Sequence, residues 1–359
     1  MLFFPGNRVQ KIFLIIPTLT KGGAERVVSL LSQEFERMDY EVKIVVFNNK
    51  VEYKYGGEII NINAPASSNY FVKLLRLFQR TFRLKRIFKK ENPDYIFSFT
   101  ESANFPCILT GKKIIISIHT NPSRNCNRLQ KIFIRFLYKF SNVKKVVAVS
   151  KEIEKILNRD YRLKNTFTIY NPVVIDDRYK IQEDLSEYQP YILSVGRLEK
   201  PKNFEMLIKA YSKTKANKEA KLLIIGEGSQ KQELEKLIHN LNLEGKVFLP
   251  GKKDNIRDYY LQSEIYVLSS KYEGFPMVLV EALSNRCACI ATNCETGPSE
   301  IIKSDFNGLL VENKNEDALA EAIDRLYFDE ALKNKFKNNA QKSIEHLKLE
   351  EIAKKWLEI

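Results

Sequence analysis

No run in the 359 residues approaches the roughly 18 consecutive apolar residues that a bilayer-spanning helix needs, so a transmembrane segment is not expected. The opening Met1-Leu2-Phe3-Phe4-Pro5-Gly6 lacks both a basic n-region and a proper apolar h-region, and no signal peptide is expected. Cysteine is scarce and odd in number. Cys107, Cys126, Cys287, Cys289 and Cys294 form no CxxC pair, a usage that fits free thiols in a reducing cytoplasm. Histidine is scarcer still: His119, His239 and His346 are scattered, and with no Asp-x-Asp after a strand there is no metal-ligand cluster. No GxxxxGK[ST] occurs, which argues against a P-loop NTPase. Gly226-Glu227-Gly228 follows a strand-like run but position 231 is Lys, so no dinucleotide fingerprint is completed, which counts against a nicotinamide enzyme. Helix-turn-helix spacing, zinc fingers and RNA-binding aromatic motifs are also missing. So are short-period repeats and low-complexity tracts.

What remains is an ordinary globular composition, 44% hydrophobic and 28% charged, of a length that suits two domains of about 150–200 residues each. Acidic residues are few in the first half. Residues 1–170 hold 30 Lys+Arg against 13 Asp+Glu, whereas the rest hold 28 against 31. A basic first half suits something anionic: a membrane, nucleic acid or a phosphorylated substrate. A solubilising surface bias is the plain alternative.

Between Glu58 and Glu91 there is no acidic residue at all. Within that gap Lys73, Arg76, Arg80, Arg83, Arg86 and Lys90 recur at the 3/4 spacing of a helical stripe. Apolar residues flank it: Phe71, Leu74, Leu75, Phe78 and Phe82 on one side, Leu77, Leu84 and Phe88 on the other. A second segment repeats the pattern, with Arg124, Arg128, Lys131, Arg135 and Lys139 among Leu129, Ile132, Phe133, Phe136, Leu137 and Phe140. Basic, broadly apolar helices are characteristic of anionic membrane surfaces, so peripheral attachment is expected in preference to nucleic-acid binding.

Short apolar runs alternate with helical segments. They are Lys11–Ile16, Val42–Phe47, Tyr95–Phe99, Ile114–Ile118 and Val146–Val149. After the linker-like Tyr170-Asn171-Pro172 and polar Asp184–Gln189 the pattern restarts with Tyr191–Val195, Lys221–Ile225, Val247–Leu249, Ile265–Leu268 and Cys289–Ala291. This predicts an α/β chain of two doubly wound parallel-sheet domains. Their cleft would bind ligands at loops that follow strands.

Two such loops carry the candidate chemistry. Gly196-Arg197-Leu198-Glu199-Lys200-Pro201-Lys202-Asn203 follows a strand, and Arg197 with Lys202 can hold a diphosphate; a solvated charged loop is the alternative. Glu273-Gly274-Phe275-Pro276-Met277 follows another, with Glu281 further on in a helix that reads as largely buried. A buried acid needs a partner, either ribose hydroxyls or a basic side chain.

Glu273-x7-Glu281 after Ser269-Ser270-Lys271-Tyr272 resembles the signature of the family 4 retaining glycosyltransferases. So does the order of the other pieces: Gly22-Gly23-Ala24-Glu25-Arg26, Ser117-Ile118-His119-Thr120, Gly196-Arg197-Leu198 with Lys202-Asn203, Gly226-Glu227-Gly228 and Gly308-Leu309-Leu310-Val311. The resemblance spans nearly the whole chain and implies the GT-B fold, two facing Rossmann-like domains with parallel sheets and a C-terminal crossover helix. In its terms residues 1–170 form the acceptor- and membrane-facing domain, 171–340 the nucleotide-sugar domain, and 341–359 the helix that crosses back.

Residue by residue, it implies that Arg197 and Lys202 hold and neutralise the donor diphosphate beside Gly196. Glu281 would bind the ribose. Glu273 would contact the donor sugar, near the amides of Gly274, Phe275 and Met277 and the turn at Pro276. His119 would orient the sugar, and Gly22 and Gly23 would let the first loop approach the diphosphate or the acceptor. Two places depart from the family's habit: Thr296-Gly297-Pro298-Ser299-Glu300, where two glycines often precede the Glu, and Asn171-Pro172-Val173, where Asn-Gly-Val is common.

Within that family the chain is particularly similar to the N-acetylgalactosaminyltransferases of bacterial protein N-glycosylation. That implies UDP-GalNAc as donor, a polyprenyl-diphosphate-linked oligosaccharide as acceptor and addition of several units. No metal, cofactor or nucleic acid is expected, and the location implied is the cytoplasmic face of the inner membrane. The basic stripe would then grip the acceptor's diphosphate as the saccharide lengthens.

Overall fold

The computed structural model describes residues 8–20, 22–67 and 69–359; the opening Met1–Gly6 lies outside the described residues. It divides into two compact units, residues 8–172 with 349–359, and 173–348.

The first unit runs β1 (Lys11–Ile15), α1 (Gly23–Arg37), β2 (Glu41–Val46), β3 (Glu58–Asn61), α2 (Tyr70–Glu91), β4 (Tyr95–Phe99) and α3 (Glu101–Leu109). It continues with β5 (Ile114–Ile118), α4 (Pro122–Asn125), α5 (Arg128–Leu137), β6 (Val143–Ala148), α6 (Lys151–Tyr161) and β7 (Thr166–Thr168). The strands pair in the order β3-β2-β1-β4-β5-β6-β7, all parallel. β1 and β5 are almost wholly Ile, Leu and Phe because helices cover both faces of a parallel sheet, so alternation gives way to continuous apolar runs. Side-chain caps start α2, α4, α5 and α6. Asn69 accepts from the amides of Phe71 and Val72 to open α2, and Asn127 and Gln130 form a reciprocal capping box on α5.

The second unit repeats the plan with β8 (Tyr191–Val195), α7 (Phe204–Lys213), β9 (Lys221–Ile225), α8 (Lys231–Asn240), β10 (Val247–Phe248), α9 (Ile256–Leu261) and β11 (Ile265–Leu268). It closes with α10 (Met277–Ser284), β12 (Cys289–Asn293), α11 (Pro298–Ile301), β13 (Gly308–Glu312), α12 (Glu316–Phe328) and α13 (Glu330–Ser343). Its parallel order is β10-β9-β8-β11-β12-β13. Both sheets therefore reverse direction beside their first strand, at β1/β4 and β8/β11, where open α/β sheets bind ligands beyond the carboxyl ends.

The chain then returns to the first unit. α14 (Leu349–Leu357) packs on α1, with Trp356 wedged against the rings of Phe97 and Phe99 at 5.1 and 5.3 Å. Residues 341–348, grouped with this last helix in the sequence reading, finish the second unit instead. α13 runs to Ser343 and a short 3-10 turn, Glu345–Leu347, precedes α14.

Three strands escape the sequence reading. β3 lies at a sheet edge with both ends exposed, β7 is only Thr-Phe-Thr, and β13 begins on a glycine. All five cysteines are buried and free. Among the described residues no helix is long and apolar enough to cross a membrane.

Candidate active site

In the second unit, loops after β8, β9, β11 and β12 converge at the carboxyl end of the sheet. Close backbone packing explains the glycines. A Cβ on Gly226, at φ +148°, would stand 1.9 Å from the carbonyl oxygen of Gly196, and one on Gly228 would stand 2.4 Å from that of Leu198. No side chain fits either place.

Lys202 ends a short 3-10 turn after Gly196-Arg197, and its Nζ meets Glu273 Oε1 at 2.7 Å. Both side chains are mostly enclosed, 18% and 12% exposed. Glu273 Oε1 also accepts the Ser270 hydroxyl at 2.6 Å, and its amide donates to the Glu295 carbonyl at 3.2 Å. The Lys202 carbonyl accepts Ser269 Oγ, so both members of the pair are held by the loop that follows β11. Arg197 is exposed on the same edge of the unit. Gly274, Phe275 and Pro276 lead into α10, and Glu281 lies on that helix about one turn in.

Thr296 stands where the family often carries a glycine, and its backbone shows why. It adopts φ +61°, left-handed and strained for a β-branched residue, and its hydroxyl donates to the carbonyl of Glu273. A hydrogen bond to the loop of Glu273 offsets the strain that glycine would avoid. Gly297 follows at φ +93°, where a Cβ would stand 2.5 Å from Pro276. In the sequence Ser270 and Thr296 stand only as motif neighbours; their contacts with Glu273 span three and twenty-three residues, and only the first separation is local.

In the first unit, His119 follows β5. Ser117 Oγ donates to the Ser98 carbonyl at 3.2 Å, so the His119 Nε2 atom 2.9 Å away must itself be the donor to that hydroxyl. This leaves Nδ1 an acceptor, buried and without a hydrogen-bond partner among the described residues. Burial pushes the imidazole pKa down to about 3, so the ring is neutral at any physiological pH. A buried bare acceptor is suited to a ligand hydroxyl. Gly22 caps α1, with Gly23 its first residue; a Cβ at Gly22 would stand 2.4 Å from the Glu25 carboxylate.

Sequence reasoning passed over Glu101. It follows Phe99, the partner of Ser117 in β5, by two residues, and its Oε1 is buried without a partner among the described residues. Burial raises its pKa. No periodicity marks it, since only its enclosure makes it unusual.

The basic stripe is not one open face. Lys73, Arg86 and Lys90 are exposed, but Arg80 Nε donates to the Ala64 carbonyl at 2.9 Å, and Arg83 to the carbonyls of Ile62 and Asn63. Arg76 bonds Gln79. Of the two apolar flanks, Leu84 and Phe88 enter the core and the Phe71–Phe82 flank stays outside. Among the described residues no three His, Cys, Asp or Glu side chains gather as a metal site would require.

Residues 21–177 match the model of Glycosyltransferase Family 4, and residues 176–343 that of Glycosyl transferases group 1. The chain is 32% identical to the N-acetylgalactosamine-N,N'-diacetylbacillosaminyl-diphospho-undecaprenol 4-alpha-N-acetylgalactosaminyltransferase of Campylobacter jejuni, over 97% of this chain and 100% of that one. It is 28% identical, over 98% of each, to the GalNAc-alpha-(1->4)-GalNAc-alpha-(1->3)-diNAcBac-PP-undecaprenol alpha-1,4-N-acetyl-D-galactosaminyltransferase of the same organism. The fold matches sucrose-phosphate synthase of Thermosynechococcus elongatus with a TM-score of 0.83, at 19% identity and covering 97% and 98% of the two chains. The chain belongs to the family 4 glycosyltransferases, enzymes built on two Rossmann-like, parallel-sheet domains.

Proposed function

We propose that this glycosyltransferase is retaining and metal-independent. It moves N-acetylgalactosamine from UDP-GalNAc to a polyprenyl-diphosphate-linked oligosaccharide, adding several units. The acceptor's lipid puts the reaction at a membrane surface, the cytoplasmic face of the inner membrane in this reading, on the way to protein N-glycosylation. Nucleic acid has no part in it.

The observation that carries the reading is the Lys202–Glu273 pair inside the converging loops of the second unit. The full-length likeness to two transferases named for undecaprenyl-diphosphate-linked GalNAc acceptors supports the substrates. Lys202 and Arg197 offset the charge that develops on the departing diphosphate, a cation and a planar fork aimed at the group that gains charge. Glu273 takes hydrogen bonds from the donor sugar, and Glu281 from the ribose. Neutral His119 offers Nδ1 to a sugar hydroxyl. No metal is needed where two cations serve the leaving group. Any grip on the acceptor's diphosphate falls to Lys73, Arg86 and Lys90, because Arg80 and Arg83 are bonded to their own chain.

Mass spectrometry of products tests the whole reading: purified protein, a panel of UDP- and GDP-sugars, lipid-diphosphate oligosaccharide and EDTA, with Glu273→Ala in parallel. Several N-acetylhexosamine additions from one UDP-sugar, absent in the variant, are expected. Transfer of a different sugar, or onto a lipopolysaccharide-type acceptor alone, would replace donor and acceptor while keeping the enzyme. No transfer from any donor would turn the reading to a non-catalytic binding protein.

A further inference from the structure

The carboxyl ends of β4 and β5 hold more hydrogen-bond acceptors than the chain itself satisfies. Phe99 and Ser117 are register partners on these neighbouring strands, and Glu101 and His119 each follow by two residues. The His119 ring lies 5.7 Å from that of Phe99. Asn104 is three residues beyond Glu101 and so on the same side of α3. Its amide nitrogen donates to the Ser117 carbonyl and the Tyr138 hydroxyl, both at 2.9 Å. Left over are Glu101 Oε1, Asn104 Oδ1 and His119 Nδ1, three enclosed acceptors with no partner among the described residues.

Two observations set Glu101 apart from an ordinary structural acid. It is the one acidic residue in 95–151, a stretch with ten Lys+Arg, yet no cation meets its carboxyl among the described residues. A buried acid held for stability takes such a partner. The backbone that delivers it is also strained: Thr100 stands at φ +73° and ψ +154°, close to a region that essentially only glycine occupies. Service to the amide end of α3 leaves Oε1 unaccounted for.

Acceptors without donors suit a ligand rich in O–H groups. A diphosphate would bring only further acceptors and negative charge, whereas a sugar brings hydroxyls. Glu101 and His119 are each half-buried, so their outer edges reach the surface, and the broad terminal torsion of the carboxyl can turn either oxygen to a ligand. We propose that Glu101 is a specificity-determining residue of the first unit, its carboxylate taking a hydrogen bond from a hydroxyl of the acceptor's terminal sugar beside neutral His119. The inference deepens the proposed function and rests on its saccharide acceptor. There the donor's diphosphate and ribose are met by Arg197, Lys202 and Glu281, all of the second unit, which leaves the acceptor sugar to the first.

The test compares Glu101→Gln and Glu101→Asp with wild type in the full chain. The acceptor is a detergent-soluble short-prenyl diphosphate oligosaccharide, with a series of analogues that each lack one hydroxyl of the terminal sugar other than the one glycosylated. Glu101→Gln is expected to raise the acceptor KM about 10–100-fold, the loss of one hydrogen bond to a charged group, and Glu101→Asp, which keeps the charge but is one methylene short, to fall between. UDP affinity by calorimetry should stay within about twofold in both. Wild type should discriminate about tenfold or more against one member of the analogue series, and Glu101→Gln should lose that discrimination. Its Tm should be unchanged or raised, because an unpaired buried acid has been neutralised. An unmoved acceptor KM, discrimination retained by Glu101→Gln, or a fall in Tm with acceptor and UDP weakened together overturns the inference and makes Glu101 a structural acid or the seat of a bound water. So does a wild-type enzyme indifferent to every analogue, a result that needs no variant to fold. Each of these outcomes, read where transfer occurs, removes this inference alone. Absence of transfer to any saccharide appears in wild type first, and removes the reading of the acceptor together with the inference built on it.

Discussion

Replacing Lys202 with methionine keeps the stem that passes Gly196 and deletes the ammonium that meets Glu273 at 2.7 Å. A hydrogen bond to a charged group contributes about 1.5–3 kcal/mol. Both side chains retain some contact with water, 18% and 12% exposed, and Glu273 keeps its bond from Ser270, so about 1–2 kcal/mol is the expected loss of stability. For a unit of this size that lowers Tm by about 3–6 °C. The catalytic loss should be larger. Removing a preorganised group that stabilises developing charge lowers kcat about 10²–10³-fold, or about 2.7–4 kcal/mol.

The two effects separate when kcat is measured well below the melting transition. A variant within about threefold of wild-type kcat, with the expected fall in Tm, would refute the leaving-group role and make Lys202 a loop fastener. Binding of UDP by calorimetry adds a sign. Glu273→Gln removes an anion beside Lys202 and should leave UDP affinity unchanged or tighter, while Lys202→Met weakens it. Equal weakening by both variants would mean that the pair acts only as one structural clip.

Three further outcomes are expected. At Thr296, Gly releases the φ +61° strain and loses the hydroxyl bond to Glu273, two terms of about 1 kcal/mol that nearly cancel, so Tm should barely move. Thr296→Val keeps the strain and loses the bond, and thermal melts should show it less stable than the Gly variant by about 1–2 kcal/mol. For His119 the folded pKa, about 3, lies below the unfolded value, so the unfolded chain binds the extra proton between them. Its contribution to stability is full above about pH 6.5 and declines as pH falls towards 3, by at most about 1.4 kcal/mol per pH unit. Urea melts of His119→Gln should lack that slope. Trp356 is the only tryptophan, and its fluorescence reports the first unit alone. Trp356→Ala should cost the first unit about 3–5 kcal/mol and give a separate early transition by circular dichroism.

What could be read from sequence alone was what is local. Gly196-Arg197 through Lys202, and Glu273 through Glu281, each follow a strand within a few residues, so spacing sufficed to mark them. His119 was legible as a residue but its tautomer was not, because that depends on Ser98, whose carbonyl occupies the Ser117 hydroxyl from a neighbouring strand. Glu101 was invisible, since burial is a property of what surrounds a side chain.

The periodicity of 71–90 shows the limit most clearly. A helical period defines faces, and hydrophobicity normally says which face the protein takes. Here two apolar flanks competed for one core, and the winner, Leu84 with Phe88, was set by the sheet beneath. The losing flank stays outside, while Arg80 and Arg83 bond carbonyl oxygens sixteen to twenty-one residues away in the chain, contacts that no window of sequence reveals. An arginine that satisfies its fork on backbone carbonyls can share the protein side of a helix, and the apolar stripe opposite is then left exposed.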